Sequence, residues 1–188
     1  MTRAPVAAAV RHTLPVLQWL PRAAQAAPSF SAPLCAMLCN ATRDLEWRQT
    51  YSLAEVASGA IERGFLDRYG WCELIGPAAA TVDGLTCGCL LLGPDTHYPS
   101  HSHEAEELYV PLSGTASWRQ GEIRTDKSGW RELAPGTLIH HAAFEPHAMR
   151  THGDPLLALY LWRGADLARK AQLDPPGTTQ QNTQGTLK

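Results

Sequence analysis

The chain has 188 residues, 16 Lys plus Arg against 18 Asp plus Glu, and a net charge of −2. That length suits one compact domain with an appendage, and the balanced charge removes the basic field that a polyanion binder relies on, so nucleic acid is not an expected partner. No apolar run approaches the roughly 18 residues of a membrane span, and 18% charged with 44% hydrophobic residues describes a globular protein.

Residues 1–70 carry helix-type patterning, with Val16, Leu17, Trp19 and Leu20, then Leu34, Met37 and Leu38, then Leu53, Val56, Ile61 and Phe65. Prolines at 15, 21, 28 and 33 break it into short pieces. The Val6 to Val10 run is interrupted by Arg11, His12 and Pro15, too short for the roughly 7 to 15 apolar residues of a secretory leader. Five cysteines do not form a disulfide framework, so a reducing, cytoplasmic setting is expected.

After Gly70 the texture changes to short β-type runs: Trp71 to Ile75, Leu85 to Leu92, Leu108 to Ser113, Ala116 to Arg119, Thr137 to His141 and Leu156 to Trp162. Residues 71–170 therefore read as an antiparallel barrel or sandwich, mainly β, with residues 1–70 as a helical extension packed on it. Residues 171–188 read as a polar, disordered tail, nearly free of apolar anchors from Leu173 onward. Cys87 and Cys89 alternate on a leucine-rich strand and read as packing.

Six of the eight histidines lie between positions 97 and 147. His101 and His103, two apart, share one face of a strand, so their imidazoles can share a metal ion. A straight strand would carry Glu107 about 13 Å beyond His103. The chain must therefore turn at Glu104 to Glu106, which returns Glu107 to the same ion and carries Tyr109 beside it. A fourth ligand is expected from the 135–147 segment. His140 and His141 are neighbours with opposite orientations, and His147, after Pro146, is the first choice, with His141 the alternative.

Gly93, then His101-x-His103-x-x-x-Glu107, then Gly114, resembles the first motif of the cupins, with two extra residues between the first glycine and first histidine. Gly136 followed by Pro146-His147 resembles their second motif. Between Gly76 and Leu167, Leu91-Leu-Gly-Pro, Tyr98-Pro, His103-Glu-Ala-Glu-Glu-Leu-Tyr-Val-Pro-Leu-Ser-Gly, Pro146-His-Ala-Met-Arg-Thr and Leu157-Ala-Leu-Tyr-Leu-Trp-Arg-Gly are similar to the bacterial cupin-type dimethylsulfoniopropionate lyases. Trp47, Thr50-Tyr51 and Tyr69-Gly-Trp71 extend the similarity into the helical region. The resemblance implies a small jelly-roll-like β-barrel holding one divalent metal ion per chain.

It further implies a lyase that cleaves dimethylsulfoniopropionate by β-elimination to dimethyl sulfide and acrylate. Three imidazoles and a carboxylate suit zinc, iron(II) or manganese and a small zwitterionic or carboxylate substrate. Tyr109 is the first candidate for the base and Tyr98, three residues before His101, the alternative. Tyr160 and Trp162 share one face of their strand and are either core aromatics or walls of a substrate pocket. The same donor set also serves iron dioxygenases, sugar isomerases and non-catalytic sensor barrels. A monomer or homodimer is expected.

Overall fold

Pro15, Pro21 and Pro33 sit where helices begin rather than inside them. Proline at the first helical positions loses no hydrogen bond, because the amides there have no partner within the helix. In the computed structural model, which describes residues 13–76, 84–121, 129–164, 167 and 169–174, Pro15 opens a 3-10 turn (Pro15–Trp19). Pro21 lies in the first turn of α1 (Leu20–Gln25), and Pro33 in that of α2 (Ala32–Asn40). Helix α3 (Leu53–Ala57) starts with a capping box in which Ser52 and Glu55 exchange side-chain and backbone hydrogen bonds. The same region also supplies a strand, β1 (Trp47–Arg48), which its helical patterning does not announce.

The remaining strands are β2 (Tyr69–Ile75), β3 (Leu85–Leu92), β4 (His97–Ser102), β5 (Glu106–Ser113), β6 (Ala116–Gln120), β7 (Arg131–Leu133), β8 (Ile139–His141), β9 (His147–Thr151), β10 (Leu156–Arg163) and β11 (Gln172–Leu173). They form two sheets, ordered β1-β2-β3-β10-β5-β8 and β11-β4-β9-β6-β7. Eight of these strands, β3 to β10, give the jelly-roll order β3-β10-β5-β8 facing β4-β9-β6-β7. The sheets are not joined into a closed hydrogen-bonded barrel; β1 and β2 extend one, and β11 extends the other.

Strand β3 is buried on both faces, which explains its nearly unbroken apolar sequence. Leu90 and Leu92 enter the core between the sheets with Tyr98, Tyr109, Trp118, Met149 and Tyr160. Cys89 and Leu91 face the helical layer, where Val16, Leu20, Cys35 and Leu38 pack with Cys72 and Leu157. All five cysteines are free thiols. Gly114, the glycine seven residues past Glu107, has φ +79°, and a Cβ there would lie 2.1 Å from the Pro155 carbonyl oxygen.

Residues 171–174, expected to belong to the polar tail, are held in the fold. Ala171 is buried. Leu173 pairs with His101 across β11 and β4, and the Asp174 amide donates to the Ser100 carbonyl. Residues 175–188 and the Val6 to Val10 run lie outside the described residues.

Candidate metal centre and adjoining cavity

Strand register brings the donor residues together between the two sheets. His101 on β4 pairs with His147 on β9, while Glu107 on β5 lies between His141 on β8 and Trp162 on β10. His103 follows β4, and the chain bends through residues 103–105, so β5 already begins at Glu106. Ligand atoms of His103, Glu107 and His147 all lie within 4.8 Å of one another, and the three residues are buried. The His101 ring stands beside this trio, 4.2 Å from the His147 ring centroid and 6.3 Å from that of His103. His141 is fully buried and stacks on His147 at 3.9 Å with a 9° interplanar angle.

Backbone carbonyls select the tautomers. Nδ1 of His101, His103 and His147 lies 2.9, 2.8 and 2.9 Å from the carbonyl oxygens of Pro99, Ala105 and Glu145. A carbonyl only accepts, so each Nδ1 carries the proton, and in the neutral ring Nε2 keeps its lone pair. Nε2 of His103 and of His147 nevertheless face Glu107 Oε2 at 3.1 and 3.2 Å. A lone pair opposed to a carboxylate oxygen repels it unless an imidazolium proton or a cation lies between them. Nε2 of His147 and of His141 are also buried without a hydrogen-bond partner. These convergent nitrogen and oxygen donors fit a divalent metal ion.

Glu107 organises the charge. Burial raises its pKa, but the bonds with His103 and His141 and the close approach of His147 outweigh that cost and hold it well below the usual carboxylate range. Burial lowers His103 while its bond to Glu107 raises it, with a net rise. His101, distant from the carboxylate, is held well below the ordinary imidazole range by burial and by His147. Trp162 donates its indole N–H to Glu107 Oε1 at 2.5 Å. Burial, together with the nearby negative charge of Glu107 two residues away on β5, pushes the Tyr109 phenol well above the ordinary value.

A cavity of about 300 Å³ adjoins the donors. Its aromatic lining is Tyr69, Trp71, Tyr98, Tyr109, Tyr160 and Trp162, with His101 reaching it from the donor cluster and Arg48, Arg169 and Lys170 adding positive charge. Tyr98 stacks on His101 at 4.0 Å and 7°, and its hydroxyl lies 3.2 Å from that of Tyr51. Burial raises Tyr98 well above the ordinary phenol value. Tyr160, opposite Tyr109 in the register, reaches across Gly88; a Cβ on that glycine would lie 2.4 Å from the Tyr160 hydroxyl.

The structure thus assembles His103, Glu107 and His147, places His101 and His141 against them, and puts Tyr98, Tyr109, Tyr160 and Trp162 on the cavity wall. Sequence reading missed the wall supplied by Arg48, Thr50, Tyr69, Trp71, Arg169 and Lys170. The similarity already noted at Thr50-Tyr51 and Tyr69-Gly-Trp71 was the available signal for part of it. Thr50 Oγ1 accepts from the Trp71 indole at 3.1 Å and lies 2.7 Å from the Tyr69 hydroxyl, fixing both rings.

The dimethylsulfoniopropionate lyase family model matches residues 1–158. The chain is 34% identical over 120 residues to dimethylsulfoniopropionate lyase DddQ of Ruegeria pomeroyi, covering 63% of this chain and 55% of that protein. It is 31% identical over 121 residues to the putative dimethylsulfoniopropionate lyase DddL of Cereibacter sphaeroides, covering 62% and 46%. The chain therefore spans about half the length of these curated relatives. A crystal structure from work on the lyases RdDddP and RnDddQII superposes with TM-score 0.75 at 37% identity, covering 87% of this chain and 80% of that one. The Ruegeria pomeroyi DddQ crystal structure gives 0.72 at 29% identity, covering 92% and 81%. With a family match across more than three-quarters of the sequence and solved relatives that superpose on most of the chain, this chain belongs to the dimethylsulfoniopropionate lyase family.

Proposed function

We propose that the protein is a metal-dependent lyase that cleaves dimethylsulfoniopropionate to dimethyl sulfide and acrylate. The observation that carries this reading is the sharing of side chains between cavity and donors: His101, Tyr109 and Trp162 line the aromatic cavity and also contact the donor cluster. One divalent ion per chain, zinc, iron(II) or manganese, would be held by His103, Glu107 and His147 together with His101 or His141. When bound, it supplies a Lewis acid that draws charge from a carboxylate and acidifies the adjacent carbon.

The chain's own residues do the rest. The faces of Tyr160 and Trp162, with Tyr98 beside them, receive the sulfonium, a cation that aromatic quadrupoles attract by about 0.5 to 2 kcal/mol per ring. The enclosing rings keep water from the reacting carbons. Tyr109 acts as its phenolate, which a cation at Glu107 would favour by offsetting the carboxylate charge; its Oη takes one α-proton and becomes the phenol, the Cα–H electron pair becomes the Cα–Cβ π bond, and the Cβ–S bond breaks with its pair going to dimethyl sulfide. Tyr98 is the alternative base. The free thiols suit a reducing compartment, in keeping with a cytoplasmic enzyme.

The test is gas-phase detection of dimethyl sulfide from metal-loaded protein, with acrylate measured in the same vial. Equal amounts of both products, absent without metal, are expected. A protein that binds the ion yet releases neither product excludes the reading.

A further inference from the structure

We infer that Trp162 is a positioning residue for the metal-binding donors: its indole N–H restricts Glu107 to ligation through one oxygen, and its ring face sets the His103 imidazole. The inference rests on the proposal that this cluster holds an ion, and goes beyond it to say what aims the ligands. Trp162 lies opposite Glu107 in the β10–β5 register. Its Nε1 is 2.5 Å from Oε1, while Oε2 faces the nitrogens of His103, His141 and His147 at 3.1, 3.2 and 3.2 Å. The carboxylate is therefore divided, one oxygen toward the imidazoles and one held by the indole.

The chemistry of the indole makes this division directional. Its nitrogen donates and has no lone pair to offer a metal, so it occupies Oε1 without competing for the ion. The same ring packs on His103, centroid to centroid 4.3 Å with a 31° tilt, and so touches two of the three clustered ligands. One position further along, Arg163 lies opposite Glu106 and donates to its carboxylate through Nε and Nη2 at 3.0 and 2.5 Å. That pair clasps the two strands beside the Trp162–Glu107 contact. A tryptophan serving only as a cavity wall would need its ring but not its N–H.

Trp162→Phe keeps an aromatic ring and deletes the donor, whereas Trp162→Gln keeps an N–H donor and deletes the ring. Metal-free wild type and both variants are titrated with Zn(II), and separately with Co(II) while its visible d–d absorption is followed. Loss of such an outer-shell partner typically weakens metal binding about 10- to 100-fold, the change expected for Trp162→Phe. Its Co(II) absorption should also weaken as the released Oε1 joins the coordination shell, and Trp162→Gln should recover part of the affinity. Wild-type affinity and spectrum in Trp162→Phe overturn the inference. Wild type that binds neither ion overturns the metal site itself, a separable result. If the variants do not fold, the indole ¹⁵N–H resonances of the protein decide. The Trp162 signal should be the most downfield of the six tryptophans and should move in Glu107→Gln; an unmoved signal refutes the contact.

Discussion

Tyr109→Phe separates catalysis from architecture, because the hydroxyl it removes has a structural partner whose loss can be scaled. That hydroxyl lies near the buried Glu107 carboxylate, whose charge it feels, and losing a polar contact of ordinary strength costs about 0.5–1.5 kcal/mol. Glu107 keeps its other partners, Trp162, His103 and His141, so the carboxylate is not left bare. For a domain of this size, 1 kcal/mol corresponds to roughly 2–4 °C in Tm, so the variant should melt about 1–6 °C lower and remain folded at 25 °C. Losing a general base costs about 10²- to 10⁴-fold, and 10²-fold already equals about 2.7 kcal/mol of barrier, unrelated to the melting change. Tyr98→Phe removes a bond to the neutral Tyr51 hydroxyl at 3.2 Å but leaves the Tyr98 ring on His101, which predicts less than tenfold loss of turnover (~1.4 kcal/mol). The assay is initial-rate dimethyl sulfide release, normalised to metal content and accompanied by thermal melts. Near-normal turnover in Tyr109→Phe with full metal refutes the assignment, and a deeper loss in Tyr98→Phe transfers the role to that tyrosine.

Alanine at His103, Glu107 or His147 should reduce the bound metal, measured by elemental analysis, well below one ion per chain, since each removes one of three clustered donors. His101→Ala and His141→Ala decide the fourth ligand, the larger loss of metal identifying it. Tyr160→Leu should raise the substrate dissociation constant from a few-fold to about thirtyfold, equivalent to about 0.5–2 kcal/mol, with propionate binding weak in both proteins because it lacks the cation. A Cβ at position 88 would meet the Cys72 carbonyl at 2.1 Å as well as the Tyr160 hydroxyl, so Gly88→Ala should cost about 1–3 kcal/mol in urea unfolding and weaken substrate binding. Wild-type stability in that variant would show that the β2–β3 contact gives way more easily than its geometry indicates.

Local periodicity made part of this molecule readable. Alternation along Leu156 to Trp162 separated Tyr160 and Trp162 from Leu157 and Leu159, and in the structure the aromatics line the cavity while the leucines face the helical layer. Parity likewise separated His140, which is exposed and bonded to Glu106, from His141, buried against Glu107. Spacing placed a turn between His103 and Glu107 but set it one residue late. What stayed hidden depends on contacts distant in sequence. Trp162 and Glu107 are 55 positions apart, and Tyr51 and Tyr98 are 47 apart. A two-residue strand such as β1 or β11 has no period to detect, and Leu173 looks like part of a polar tail until its pairing with His101 is seen.

The donor set and the cavity have different structural origins. His101, Glu107, His141 and His147 come from jelly-roll strands, with His103 in the bend between two of them, and the pairings that juxtapose them are internal to that framework. The cavity also needs segments outside those eight strands. Pairing of Trp47 with Cys72 brings Arg48, Thr50, Tyr69 and Trp71 to one wall. On another side, residues 169–171 carry Lys170, which pairs with Glu55 of α3 and lies 5.2 Å from the Tyr51 ring, and Arg169, which pairs with Glu104 at 3.1 Å. Glu55 is drawn to about 2 by Lys170 first and then Ser52, so at neutral pH it stays ionised and the segment remains tied to the helical region. On the proposed reading, binding of an ion falls to the jelly-roll strands, while selection of what meets it draws on the flanking segments as well as on those strands. On that reading, changes in residues 47–71 or 169–171 should act on substrate shape and charge, whereas the donors should respond chiefly to the strand register that sets Glu107 between His141 and Trp162.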